Sequence, residues 1–281
     1  MTDAGGKKRI AIGLALSGGT AKSVAHIGVI RALEESGIPI DYLAGTSGGS
    51  LVAALYAAGK SVDELEVLAG GMRWGTIAGF TLPRLGLLSS EKIRKFIIDE
   101  IGDLEFRDLA IPVAVVASNL TTRERRIIRD GKVAVACQAS SSIPEFYTPV
   151  EIDGHILVDG GLAEYVPVGA LATLGEMFTI GVNLGFEQGS ARKPRHLIEM
   201  IIQVTNFVAQ QNAAASERIA GFMIHPDLSE FSSLDLNKSS LMIRRAYADT
   251  LDVIPALKAA IRAAQRSSRD RNAKRQRQKS L

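Results

Sequence analysis

A glycine-flanked serine at the end of an apolar run constrains this chain more than any other feature. Gly45-Thr46-Ser47-Gly48-Gly49 fits the pattern G-x-S-x-G. Residues 38–44 before it read as a buried strand, and residues 48–58 after it as a helix of small residues. A sharp turn from strand to helix lifts a serine oxygen above a sheet, and glycines are needed there because side chains would collide. The same turn puts Ser47 at a helix N-terminus, where the dipole favours developing negative charge. The five letters alone fit a plain Gly/Ser-rich connection equally well. The flanking strand and helix favour a nucleophile.

The neighbouring segments repeat the strand-then-helix alternation. Residues 10–16 read as a strand and 24–35 as a helix. This βαβα rhythm predicts an α/β fold with a mostly parallel sheet and helices on both faces. Further along, Ser90 reads as the cap of an amphipathic helix over 92–101. Residues 111–117 and 177–183 read as strands. Residues 125–128 and 132–135 flank an Asp130-Gly131 turn, and the second of these either pairs as a strand or opens a helix. Beyond Gly189 the pattern turns helical over 194–216 and 241–265, with a short strand at 222–225. The expected organisation is a catalytic core over 10–185, a helical part packed on it over 186–265, and a basic, disordered tail over 266–281.

Charge is divided along the chain. From Arg262 to Leu281 eight cationic residues face one acidic residue, a net +7, whereas the whole chain carries +3. The remainder is therefore −4, and the basic character belongs to the tail. Such a tail is either merely solvated or a contact for an anionic membrane surface. A nucleic-acid role is disfavoured, because the tail has no interleaved aromatics and the remainder is acidic. Cys137 is the single cysteine, so no intrachain disulfide forms and a reducing, cytoplasmic setting is expected, with peripheral contact at the membrane inner face through the tail. Its apolar neighbours make it a core residue. Lys7-Lys8-Arg9 before an apolar run has the order of a signal peptide, but the run is short and ends in Gly18-Gly19, which fits a buried first strand better.

Two further segments carry chemistry. Ser17-Gly18-Gly19-Thr20-Ala21-Lys22-Ser23 follows the first strand and opens a helix. A P-loop counted from Gly13 has Gly19 where lysine belongs, and Thr20 and Ser23 break a dinucleotide fingerprint. An oxyanion hole remains, since amides at a glycine-rich helix start point outward. A plain turn is the alternative. Lys22 would hold the loop or attract anionic head groups. Asp159-Gly160-Gly161 closes the apolar run Ile156–Val158. Alone it reads as a turn; beside a serine elbow it supplies a base whose burial raises its pKa. Of the histidines His26, His155, His196 and His225, the last two fit the chain order of a Ser-Asp-His triad. Ser47, however, follows only the second strand, which is early for that arrangement.

Four blocks in this order resemble the bacterial patatin-like phospholipases: Gly18 to Ser23 with Ala25-His26-Ile27-Gly28-Val29, Gly45 to Gly49, Ala139 to Pro144 running on to Pro149-Val150, and Asp159-Gly160-Gly161 with Val166-Pro167-Val168. The resemblance covers about residues 10–185. It implies a three-layer α/β/α fold and lipid acyl hydrolysis by a Ser–Asp dyad, with no metal and no organic cofactor. Carried over by position, Ser47 is the nucleophile, Asp159 the base, and the amides of Gly18, Gly19 and Thr20 the oxyanion hole. Lys22, Gly45, Gly48, Gly49, Gly160 and Gly161 are in supporting positions. The substrate implied is a phospholipid or other acyl ester. Thr20 and Ser23 stand where the family has glycine, and Glu164-Tyr165 where asparagine is common. A low-turnover lipid-binding or regulatory protein on the same scaffold is the rival reading. Residues 74–88, with Trp74, Phe80, Leu82, Leu85, Leu87 and Leu88, are expected to be either an acyl-pocket wall or ordinary packing.

Overall fold

The computed structural model describes residues 9–80, 86–185, 193, 194 and 196–279. In chain order the first half comprises β1 (Ile12–Leu16), α1 (Ala25–Glu35), β2 (Tyr42–Thr46), α2 (Gly48–Ala57), α3 (Val62–Gly71), α4 (Trp74–Ile77), β3 (Gly79–Phe80), β4 (Gly86–Ser89) and α5 (Glu91–Ile101). The second half comprises β5 (Val113–Asn119), β6 (Glu124–Ile128), α6 (Val133–Ser140), β7 (Glu145–Tyr147), β8 (Val150–Ile152), β9 (His155–Asp159), α7 (Val168–Leu171), β10 (Phe178–Val182), α8 (Leu197–Ile219), β11 (Phe222–Ile224) and α9 (Ser239–Lys279). Among the described residues an eight-stranded sheet runs β11-β10-β1-β2-β5-β9-β8, with β6 also paired to β5. The strands from β11 to β5 pair in parallel, and β6, β8 and β9 add antiparallel pairings on the far side.

The period of two along the strands divides the core into layers. Leu14, Leu16, Leu43, Val113 and Val115 face the larger layer of α1, α2, α3, α5, α6 and α9. Ala15, Ala44, Ala114 and Val116 face the other layer, built by α7 and α8. Alanine at three of those four positions lets the second layer lie close to the sheet. The three-layer α/β/α expectation is thus met, and the two C-terminal helices cover opposite faces: α8 lies over the alanine face and α9 packs along α1.

Three local differences from the sequence reading stand out. Ser90 sits at the N-cap of α5, but its hydroxyl donates to the Thr148 carbonyl at 3.1 Å instead of capping. Of the two readings left open for residues 132–135, the helix is the one that forms, as α6. The helix α9 continues through residues 266–279, where a disordered tail was expected; alanine, arginine, lysine and glutamine there are all strong helix formers and can extend an anchored helix. Helix α3, headed by a Ser61–Glu64 capping box, was missed, although that S-x-x-E signal is visible in the sequence.

Candidate active site

Ser47 is held at the turn from β2 to α2 with φ 52° and ψ −131°. A non-glycine residue adopts that backbone only under constraint, and the surroundings supply it. A Cβ on Gly45 would lie 2.4 Å from Ser50 Cα, and one on Gly49 would lie 2.4 Å from the Leu16 and Ser17 carbonyl oxygens. Gly48 is closed in by the Ser23 side chain. The glycines therefore permit a packing that any side chain would force apart. The Ser47 amide donates to Ser140 Oγ at 2.8 Å, and that hydroxyl donates to the Val116 carbonyl at 2.6 Å. Ser140 thus fixes the elbow from α6. Ser140 belongs to the Ala139–Pro144 block of the sequence, but nothing local there shows that its hydroxyl meets the Ser47 amide.

Asp159 ends β9, where it pairs with Ala117 of β5, while Thr46 pairs with the adjacent Val116 on the other side of that strand. The sheet register brings the two strand ends level. Ser47 Oγ donates to Asp159 Oδ2 at 2.6 Å. The other carboxylate oxygen, Oδ1, accepts from the Gly161 amide at 2.7 Å. The Asp159 backbone is tied as well, its carbonyl accepting from Ser118 Oγ and its amide donating to the Ser142 carbonyl, each at 2.8 Å. Gly160 packs on the Val116 carbonyl, where a Cβ would lie 2.1 Å away. Asp159 is 3% exposed. Burial pushes its carboxyl up to about 6 against the smaller lowering by the Ser47 and Gly161 hydrogen bonds, so it is charged at neutral pH yet basic enough to take a proton.

The glycine-rich loop after β1 lies beside Ser47. Of the three amides expected to form an oxyanion hole, that of Gly18 already donates to the Tyr165 carbonyl at 3.3 Å. Gly19 and Thr20 are the remaining candidates. Thr20 has φ 51°, a left-handed backbone that strains a β-branched residue. Lys22 is 3% exposed within the 3-10 turn after the loop, so it cannot reach out to anionic head groups; holding the loop is the role its position allows.

Two cavities meet at Ser47. One, of about 80 Å³, is lined by Leu51, Leu55, Leu65, Met72, Trp74 and Tyr147 among others. The second is a smaller cleft with Gly19, Asp159, Tyr165 and, from α8, Thr205, Asn206 and Ala209 in its walls. Of the stretch expected to wall an acyl pocket, Trp74 does so, joined by Ile77. Leu87 is exposed and Leu88 packs against the cluster around Phe146 and Tyr147. Leu82 and Leu85, and the side chain of Phe80, lie outside the described residues.

No histidine lines either cavity among the described residues. His26 is buried, its Nε2 2.8 Å from the Ser17 carbonyl, and burial lowers it to about 4. The exposed His196 caps α8 by accepting from the Glu199 amide, and His225 lies 3.9 Å from Glu217. Cys137 is a buried thiol directed at the Ser50 carbonyl, and burial pushes it up to about 12, which fits its expected place in the core. Glu164, at an unexpected position for an acid, pairs with Arg125 at 2.6 Å and accepts from the Gly169 amide at 2.6 Å. Its carbonyl accepts from Thr46 Oγ1 at 2.8 Å, which links the loop after Asp159 to the residue before Ser47.

The family described as patatin-like phospholipase matches residues 14–172, a span containing the elbow, the glycine-rich loop and Asp159. The chain belongs to the patatin-like phospholipase family. An NTE family protein of Mycobacterium tuberculosis is 37% identical over 185 residues, covering 64% of this chain and 51% of that protein. Lysophospholipase NTE1 of Mycosarcoma maydis is 32% identical over 182 residues, covering 63% of this chain and 10% of that protein. The chain thus spans about half the length of the mycobacterial relative and much less of the fungal one. In structure, VipD of Legionella pneumophila aligns with a TM-score of 0.52 at 14% identity, covering 91% of this chain and 69% of that one. The type III effector ExoU aligns with a TM-score of 0.51 at 14% identity, covering 90% and 54%. These two likenesses concern the fold. Among the described residues no helix is long and apolar enough to cross a membrane.

Proposed function

We propose that this patatin-like protein is a lipid acyl hydrolase that cleaves carboxylic esters with a Ser47–Asp159 dyad. The observation that carries the reading is the 2.6 Å hydrogen bond from Ser47 Oγ to a buried Asp159 whose proton affinity is raised to about 6. In the first half-reaction the Ser47 proton passes to Asp159 Oδ2 as Oγ attacks the ester carbonyl carbon. The resulting oxyanion is stabilised by the Gly19 and Thr20 amides, each donor contributing about 3 kcal/mol in the transition state. The C–O bond of the ester then breaks, and the leaving alcohol takes the proton from Asp159. In the second half-reaction water gives a proton to Asp159 as it attacks the acyl-enzyme, and that proton returns to Ser47 Oγ as the acid departs.

The apolar cavity at Ser47 suits the acyl chain and the polar-rimmed cleft the leaving group. The substrate class is a phospholipid or other acyl ester, with the basic C-terminal segment adding electrostatic attraction to an anionic bilayer. Incubation with a mixed lipid extract, followed by product analysis with Ser47→Ala as control, tests the reading. Release of free fatty acid only by the unsubstituted chain is expected; equal release by both would overturn it. The strained Thr20 backbone favours one rival, a lipid-binding protein with little turnover. An active-site acylating probe separates them, since a competent Ser47 is labelled and an idle one is not.

A further inference from the structure

The outer face of α8 breaks the usual rule for a surface helix. Its inner face packs on the sheet through Ala209 and Ala213, as expected. At the centre of the opposite face stand Leu197, Met200 and Val204, at steps of three and four residues, with Phe207 and Val208 three and four residues beyond Val204, so that the five form one stripe. Leu197 is 64%, Val204 55% and Phe207 63% exposed. From Met200 to Ser216 the helix contains no charged residue. A helix that is merely solvated carries its polar and charged residues on that side.

Three relationships bear on what covers the stripe. The same helix contributes Thr205, Asn206 and Ala209 to the cleft at Ser47, so the stripe lies on the back of a cleft wall. Asn212, one turn on, accepts from the Tyr165 amide and donates to the Gly161 carbonyl, each at 2.8 Å, which fastens α8 to the loop that positions Asp159. In sequence, Arg192, Lys193 and Arg195 come just before the helix, so three cationic residues precede its uncharged apolar stretch. An apolar helix face flanked by basic residues matches the acyl boundary and anionic head groups of a bilayer.

We propose that α8 seats the protein on an anionic lipid surface, with its outer stripe in the acyl boundary and the Ser47 cleft held against the membrane. This rests on the acyl-ester reading for its purpose, but vesicle binding is measured without turnover and fails or stands separately.

The test uses the full chain carrying Ser47→Ala, so that vesicles stay intact, with and without Val204→Ser and Phe207→Ser together. Both serines replace exposed side chains outside the cleft, so folding is undisturbed, and circular dichroism with thermal melting verifies that. Sedimentation with vesicles of phosphatidylcholine and phosphatidylglycerol is expected to show at least about tenfold weaker binding of the doubly substituted protein, at low and high salt alike, given the apolar area lost. With Ser47 restored, vesicle hydrolysis should fall in parallel while a monomeric short-chain ester is cleaved within about twofold of the unsubstituted rate. Unchanged vesicle binding would overturn the proposal. So would a dimer in solution that the same two substitutions dissociate, since a second copy would then be what covers the stripe.

Discussion

Ser47 Oγ and Asp159 Oδ2 lie 2.6 Å apart although 112 residues separate them in the chain. The contact is made by neighbouring strand ends, β2 and β9, on either side of β5, so sheet register and not local sequence sets it. Removal of either group should therefore abolish turnover without unfolding the chain. Ser47→Ala and Asp159→Asn are both expected to lower kcat by at least about a thousandfold. His196→Ala and His225→Ala should stay within about threefold of the unsubstituted rate. A thousandfold loss in either histidine variant, measured on a soluble ester, would replace the dyad with a triad.

The pH dependence follows from Asp159. Its carboxyl must be ionised to accept the serine proton, so kcat/KM should rise with pH through about 6 and level off above about 7. For stability the sign is opposite. The folded pKa lies above the unfolded value of 3.8, so the favourable contribution is present below about pH 4 and is lost as pH rises towards 6. At pH 8 the buried charge costs on the order of 3 kcal/mol. Asp159→Asn should accordingly melt higher than the unsubstituted protein at pH 8 and close to it at pH 4. Equal melting at both pH values would show that Asp159 titrates normally.

Backbone strain at Ser47 can be measured by comparing two inactive variants. Ser47→Gly and Ser47→Ala both lack the hydroxyl, so their difference isolates the φ 52°, ψ −131° conformation. The glycine variant should be more stable by about 1 kcal/mol or more in denaturant unfolding. A more stable alanine variant would mean that the elbow relaxes once the hydroxyl is gone.

Thr20 offers the complementary test in an active protein. Its φ of 51° suits glycine, so Thr20→Gly should retain or raise turnover on a short-chain ester. A tenfold loss would give the Thr20 side chain a role of its own.

The C-terminal segment makes an electrostatic prediction distinct from that for α8. With a net charge of +7 from Arg262 onward, it should add a salt-sensitive increment of binding to anionic vesicles and none to neutral ones. Deleting residues 266–281 should remove that increment and leave cleavage of a soluble ester unchanged. Equal vesicle binding by both proteins at low salt would assign the segment no membrane role.

Ser47, Asp159 and the loop from Gly18 were legible in the sequence because each closes an apolar run with glycines, a local signal that survives without the fold. The parallel core was legible for the same reason. Strands β3, β4, β7 and β8 were not, since segments of two to four residues show no period, and the pairing of β4 with β7 joins stretches far apart in the chain. Ser140 lay in a block that the resemblance singled out, but its contact was not legible, and Asn212 carried no signal at all, because the importance of both lies in which backbone amide or carbonyl they meet. Gly18 was only half legible: the glycine was conspicuous, but the capture of its amide by Tyr165 depends on a loop almost 150 residues away.

On the proposed mechanism, the fixed Oδ1 of Asp159 would limit how an acyl-enzyme is resolved. With that oxygen bound to the Gly161 amide, Oδ2 alone must serve both the departing alcohol and the incoming water. One position beside Ser47 would then serve one nucleophile at a time, and the acyl group would go to whichever hydroxyl occupies it. Small alcohols such as methanol or glycerol should then compete with water, diverting product from free acid to new ester as their concentration rises, so that the same dyad transfers acyl groups as well as releasing them.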